Sequence, residues 1–136
     1  MRYPGSGQAT LLNANSQAFL IGGSGAQATT PERIGTGTPN YSSIAIQLER
    51  QKSASYPFGF AIEGNFNAAP GSFEIDVMAS ESDLDASYIM IGAITTINAN
   101  NYFRFDGVPT LAYPRFIRLL VVSLTNDVSL TARITR

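Results

Sequence analysis

The sequence contains no cysteine, no histidine and no tryptophan, and only 14% of its 136 residues are charged. Each absence excludes a class of chemistry. Without histidine the chain lacks the side chain that ordinarily serves as a general base at neutral pH. Without cysteine it has no thiolate nucleophile, no disulfide framework and no soft-metal ligand set. Enzymes built on Ser-His-Asp, Cys-His, zinc or haem logic are thereby excluded, and no catalytic residue, metal site or cofactor is expected. An average soluble chain has roughly 25% charged residues; here nine basic and ten acidic groups nearly cancel, to a net charge of −1. A protein that holds phosphates by counterion release needs a concentrated basic face. The eight arginines and one lysine are instead scattered from Arg2 to Arg136, so nucleic acid is not an expected partner. No apolar run reaches the roughly 18 residues of a membrane-spanning helix, and the start Met1-Arg2-Tyr3-Pro4-Gly5 leads into polar sequence. The expectation is a soluble chain made inside a cell, with no membrane partner.

What is present divides near residue 41. Residues 1–40 hold Gly5, Gly7, Gly22, Gly23, Gly25, Gly35 and Gly37 with Pro4, Pro31 and Pro39 among Ser, Thr, Gln and Asn, and only Arg2, Glu32 and Arg33 are charged. Such a stretch buries too little apolar surface to offset the entropy of ordering it alone. Small apolar knots interrupt it at Leu11-Leu12, Phe19-Leu20-Ile21 and Ile34. The reading is an extended N-terminal arm, able to span up to about 130 Å and to lie on a neighbouring subunit, with Phe19, Leu20 and Ile21 as anchors. A single helical turn near Leu11 to Phe19 is the weaker alternative.

From Tyr41 onward the apolar residues recur with period two, the mark of half-buried strands. Ile44, Ile46 and Leu48 form one set; Tyr56, Phe58, Phe60 and Ile62 a second; Phe73, Ile75 and Val77 a third. Tyr88 to Ile97 and Tyr102 to Phe105 follow. Phe116 to Leu124 is apolar on both faces apart from Arg118 and Ser123, as a central strand would be. Val128, Leu130, Ala132 and Ile134 close the chain, after a Thr125-Asn126-Asp127 turn that predicts a short hairpin with the preceding strand and an edge position for the last one. Gly64-Asn65, Ala69-Pro70-Gly71 and Glu81 to Asp85 read as turns of an antiparallel meander. The expected fold is all-β: an antiparallel β-sandwich or jelly roll over residues 41–136, preceded by the arm.

Several constellations have both a functional and a structural reading. Glu81, Asp83 and Asp85 offer oxygens at alternate positions as a calcium loop would, but they lack the glycine of an EF-hand loop and read first as a solvated loop. Glu74 and Asp76 lie on one face of one strand, whereas glycosidase carboxyls must face each other across a cleft. Tyr88, Tyr102 and Tyr113 would stack on sugar rings if exposed at one end of a sandwich, and would otherwise be packing residues. Arg115 and Arg118 project to opposite faces and do not form one anion clamp. Arg118 is in phase with Phe116 and Leu120, which predicts a salt bridge with Asp106 or Glu74, or an interface position.

Four segments carry a resemblance: Asn67-Ala68-Ala69-Pro70-Gly71-Ser72-Phe73-Glu74-Ile75, Ser82-Asp83-Leu84-Asp85-Ala86-Ser87-Tyr88, Asn98-Ala99-Asn100-Asn101-Tyr102-Phe103-Arg104, and Arg115-Phe116-Ile117-Arg118-Leu119. Over about residues 60 to 136 the chain resembles small β-sandwich virion proteins of tailed bacteriophages. The resemblance implies a non-enzymatic virion component, made in the host cytoplasm: a capsid decoration or cement protein that binds the head shell through its arm and sheet edges. Its implied partners are the major capsid protein or other virion proteins, with homo-oligomers among them. The alternative from the residues is a carbohydrate-binding module of a tail or baseplate accessory, using Tyr88, Tyr102 and Tyr113.

Overall fold

The computed structural model describes residues 10–12, 17–21, 32–34, 41–48, 60–107 and 116–135. The strands are β1 (Thr10–Leu12), β2 (Gln17–Ile21), β3 (Glu32–Ile34), β4 (Tyr41–Ser42), β5 (Ile46–Leu48), β6 (Phe60–Phe66), β7 (Phe73–Ser80), β8 (Ile89–Ile94), β9 (Tyr102–Gly107), β10 (Phe116–Leu124) and β11 (Val128–Thr135). A single 3₁₀ turn at Asp85–Ser87 is the regular helical element among the described residues; the turn at Ala99–Asn101 has non-helical backbone at Asn100. The strands form two packed sheets, an all-β sandwich. The first has the order β1-β5-β10-β7-β8, with β4 also on β10; the second has β2-β11-β6-β9, with β3 also on β11. Pairings are antiparallel except that of β1 with β5.

Alternation explains which side of each strand is dry. In β7, Phe73, Ile75, Val77 and Ala79 are buried while Glu74, Asp76 and Met78 stand on the outer face. In β11, Val128, Leu130, Ala132 and Ile134 are buried and meet Ile62 and Phe66 of β6 from the neighbouring strand. Removing a side chain of this size from water contributes about 1.5–3 kcal/mol. Ile62, Ile75, Val77, Ile117, Leu119, Leu130 and Ile134 are all fully buried between the sheets. Leu20 and Ile21 of β2 belong to the same core, and β1, β2 and β3 supply strands to both sheets of their own chain.

Three glycines admit phenylalanine rings at distances that no Cβ would permit. Gly64 lies in register with Phe103, and Gly107 with Phe60, on the paired strands β6 and β9. Gly92 of β8 receives Phe105 of β9, which joins an edge of one sheet to an edge of the other. Gly64 therefore sits in the middle of a strand and not in the turn its sequence predicts. Its value there is the room it leaves for a ring.

The connections correct the expected meander. β7 and β8 do pair as sequence neighbours, but β6 to β7, β8 to β9 and β10 to β11 each cross from one sheet to the other. The predicted hairpin at Thr125-Asn126-Asp127 is thus an inter-sheet corner. The Thr125 and Asn126 amides donate to the Ser72 and Pro70 carbonyls at 2.9 and 3.1 Å, so the neighbouring loop holds the corner in place of ladder pairing. β11 is correspondingly central in its sheet, not at the edge. Just after β4, Ser43 takes both main-chain groups of Leu119: its amide donates to the Leu119 carbonyl and its hydroxyl accepts the Leu119 amide, each at 2.8 Å.

Two substitutions test this packing. Ile21→Ala is expected to cost about 2–4 kcal/mol, because it opens a cavity in the chain's own core; chemical denaturation of the full chain reads this directly. Gly92→Ala places a methyl group where the Phe105 ring lies, and is expected to cost about 1–3 kcal/mol. An unchanged midpoint for Gly92→Ala would mean the ring does not bridge the edges.

Candidate functional site

The loop between β7 and β8 folds back over the outer face of the first sheet. Serines tie its ends: Ser80 and Ser87 hydroxyls are 2.6 Å apart, the Ser82 amide donates to the Ser80 hydroxyl, and the Ser87 hydroxyl reaches the Leu84 carbonyl at 2.7 Å. This delivers Tyr88 onto Arg118, whose guanidinium carbon lies 3.8 Å from the ring centroid. The Tyr88 phenol donates to Asp83 Oδ1 at 2.8 Å, and Arg118 Nη1 donates to Asp85 Oδ1 at 2.9 Å. Arg118 is thus paired with Asp85 and not with Asp106 or Glu74. The sequence separation hid this partner, since the loop must fold back to supply it. Burial lowers the pKa of Arg118, but a guanidinium facing a carboxylate and a π face stays charged.

Of the sugar-platform tyrosines, Tyr88 and Tyr102 lie on different sheets. Tyr88 is buried on the first sheet, Tyr102 is half-buried on β9 of the second, and Tyr113 lies outside the described residues. Of the arm residues, Leu20 and Ile21 are buried against their own sandwich, while the side chain of Phe19 lies outside the described residues. Arg115 also lies outside them. Among the described residues no cluster of three or more acidic side chains is placed to hold a cation, and Asp83 and Asp85 are engaged by Tyr88 and Arg118.

Two features stand out that the sequence did not single out. The first is β8, which among the described residues is an edge strand hydrogen-bonded to β7 on one side. Ile89, Met90 and Ile91 are 54%, 57% and 38% exposed, and Leu84 in the adjoining loop is 62% exposed. Apolar exposure at three consecutive positions puts greasy surface on both faces of the strand, and a register shift opposite Val77 and Met78 leaves Ile91 outside the ladder. β8 carries no charge. The matching edge of the second sheet, β9, carries Arg104 and Asp106, the usual guards against edge pairing.

The second is a polar groove of about 530 Å³ across the outer face of β11, β6 and β9. Its floor consists of two cross-strand rungs set by register. One is Arg133 and Glu63, with Arg104 next in register just outside the lining; the other is Thr131, Asn65 and Tyr102. Glu63 Oε1 accepts Arg104 Nη1 at 2.6 Å, Glu63 Oε2 lies 3.4 Å from Arg133 Nη2, and Arg104 also pairs with Asp106 at 2.9 Å. Asp106 accepts hydrogen bonds from the Arg104 guanidinium, which raises the pKa of Arg104 and keeps it protonated. Asn98 and Asn100 form a wall, closed by the Asn98 amide on the Tyr102 carbonyl at 2.8 Å. No protein family matches the chain in sequence, and no curated protein does.

Asp76, on the outer face of β7, has its pKa pushed up to about 6 by burial, and further by the hydrogen bond and charge of Glu74. Unfolded, it would titrate near about 4. The folded state therefore binds this proton more tightly: the group's contribution is most favourable below about pH 4 and is lost as pH rises through about 6. Asp76→Asn is expected to raise stability at neutral pH by about 1 kcal/mol, after allowance for solvent screening, and to flatten the dependence between about pH 4 and about pH 7. Urea midpoints across that range test it; an equal slope in both proteins would rule the coupling out.

Proposed function

We propose that the chain is a structural virion protein of the capsid decoration or cement type, assembled through the edge strand β8. The observation that carries the assembly part is the uncharged, exposed run Ile89-Met90-Ile91 on a sheet edge. The virion part rests on the resemblance of the strand and turn segments between residues 67 and 119. An open edge offers unpaired main-chain donors and acceptors, and an incoming strand satisfies them while covering the flanking side chains. The occupant must itself be an unguarded, apolar edge, because a charged residue set against Ile89 or Ile91 would be desolvated without a partner. β8 of a second copy meets that requirement, and antiparallel pairing of the same strand with itself generates a closed twofold dimer. A paired decoration protein then presents two shell-binding surfaces and gains avidity for the major capsid protein.

This assignment accommodates the buried positions of Leu20 and Ile21: adhesion passes from the arm to the edge. A second reading, a carbohydrate-binding accessory module of a tail or baseplate, is favoured by the groove beside Tyr102 and gains nothing from Tyr88.

Light scattering on the full chain tests the edge. The expected result is a dimer that Met90→Lys converts to monomer while the thermal midpoint moves by no more than about 3 °C, as for a surface substitution. The wild-type chain should also sediment with capsids of the phage that encodes it, and Met90→Lys should do so at least about tenfold more weakly. A wild-type monomer that leaves such capsids unbound would overturn the proposal.

A further inference from the structure

We infer that the groove on the outer face of the second sheet binds a neutral, polyhydroxylated ligand, a saccharide unit, through Glu63, Asn65, Asn98, Asn100, Tyr102 and Arg133. This deepens the carbohydrate reading by giving it a site, and it stands independently of the virion assignment. The groove's volume of about 530 Å³ falls within the roughly 300–1,000 Å³ of small-molecule sites.

The ligand class follows from charge and from hydrogen-bonding capacity. Glu63 lies between Arg104 and Arg133, and Asp106 occupies the other side of Arg104, so two carboxylates balance two guanidinium groups. An anion would have to displace Glu63 or Asp106 from its arginine, and a cation would meet the same cost with the signs reversed. Neutral ligands escape that competition. The remaining groups are amides, a hydroxyl and a phenol, each able to donate as well as accept. Sugar hydroxyls have the same dual character, and neighbouring hydroxyls match the fork of an amide or a carboxylate. Glu63 is fixed from both sides by its arginines and is an oriented acceptor. Tyr102 is half-buried and lines the groove floor, in register with Asn65.

The wall adds an independent sign. Asn100 and Asn101 both have positive φ, at 68° and 57°, a region that non-glycine residues enter uncommonly and that asparagine tolerates best after glycine. A turn needing only that backbone would be served by glycine. Asparagine at Asn100 satisfies that backbone and at the same time places an amide on the groove's lining, and backbone of this kind clusters at ligand clamps.

The test is an amide chemical-shift titration of the isotope-labelled full chain with short oligomers of glucose, mannose, galactose and N-acetylglucosamine. At least one series should move the amides of Asn65, Asn98 to Tyr102 and Thr131 together, with saturation by about 10 mM. Asn100→Gly should weaken that binding at least about tenfold while the thermal midpoint holds or rises, because glycine adopts the same φ freely. Tyr102→Ala should weaken it likewise. If no series moves those amides, if sulfate moves them more than the sugars do, or if Asn100→Gly binds as the parent does, the inference fails. None of these outcomes bears on β8, which lies on the other sheet.

Discussion

Backbones can approach closely only where no side chain intervenes, and here phenylalanine rings resting on glycines set that approach, twice within one sheet and once between the two sheets. Phe60 covers Gly107, Phe103 covers Gly64, and Phe105 covers Gly92. The first two contacts stiffen the pair of strands β6 and β9; the third fastens that pair to β8 across the sandwich. Phe66 extends the aromatic layer, 5.6 Å from Phe103 and 5.0 Å from Phe73. A ring supplies area and shape that Ile or Val would not, and the missing Cβ supplies the space. Everything outward of this flank takes its position from it: the groove floor on β6 and β9, the wall that enters β9, and the open edge of β8.

The same flank shows two answers to the problem of a sheet edge. β9 meets solvent with Arg104 and Asp106, which would be stripped of water by an incoming strand. β8 meets it with Ile89, Met90 and Ile91, which would gain from one. A few residues of sequence thus divide the side of the sandwich into a surface that repels strand addition and one that invites it. The loop over Arg118 reinforces the division by committing the nearby carboxylates Asp83 and Asp85 to internal partners, away from the strand.

Alternation was legible in the sequence because it depends only on which face is dry. The buried sets of β7 and β11 follow from Phe73, Ile75 and Val77 and from Val128, Leu130, Ala132 and Ile134 without reference to any partner. Pairing was not legible, since a period of two says nothing about which sheet a strand joins. The corner at Thr125 and Asn126 has the composition of a hairpin turn, and its bonds to Ser72 and Pro70 depend on a loop more than fifty residues away. Gly64 has the composition of a breaker, and its ring partner sits on another strand. The groove was hidden for a related reason: it takes one to three residues from each of three strands, so no window of the chain contains it. Of the two platform tyrosines among the described residues, Tyr102 lines the groove and Tyr88 lies on the other sheet.

The position of β11 has a consequence for how the molecule is made. It lies between β6 on one side and β2 and β3 on the other, so the second sheet lacks its middle until residues 128–135 have left the ribosome. Of the longer strands, only β7 and β8 join sequence neighbours, and most other contacts wait on distant segments. A topology so rich in non-local pairing folds slowly, in milliseconds to seconds by general experience. During that interval β6 and β2 are temporary edges, as open as β8. Nascent chains on one message are therefore at their most adhesive just before they become discrete molecules, and the order of synthesis sets a limit on how densely the protein can be produced without cross-pairing.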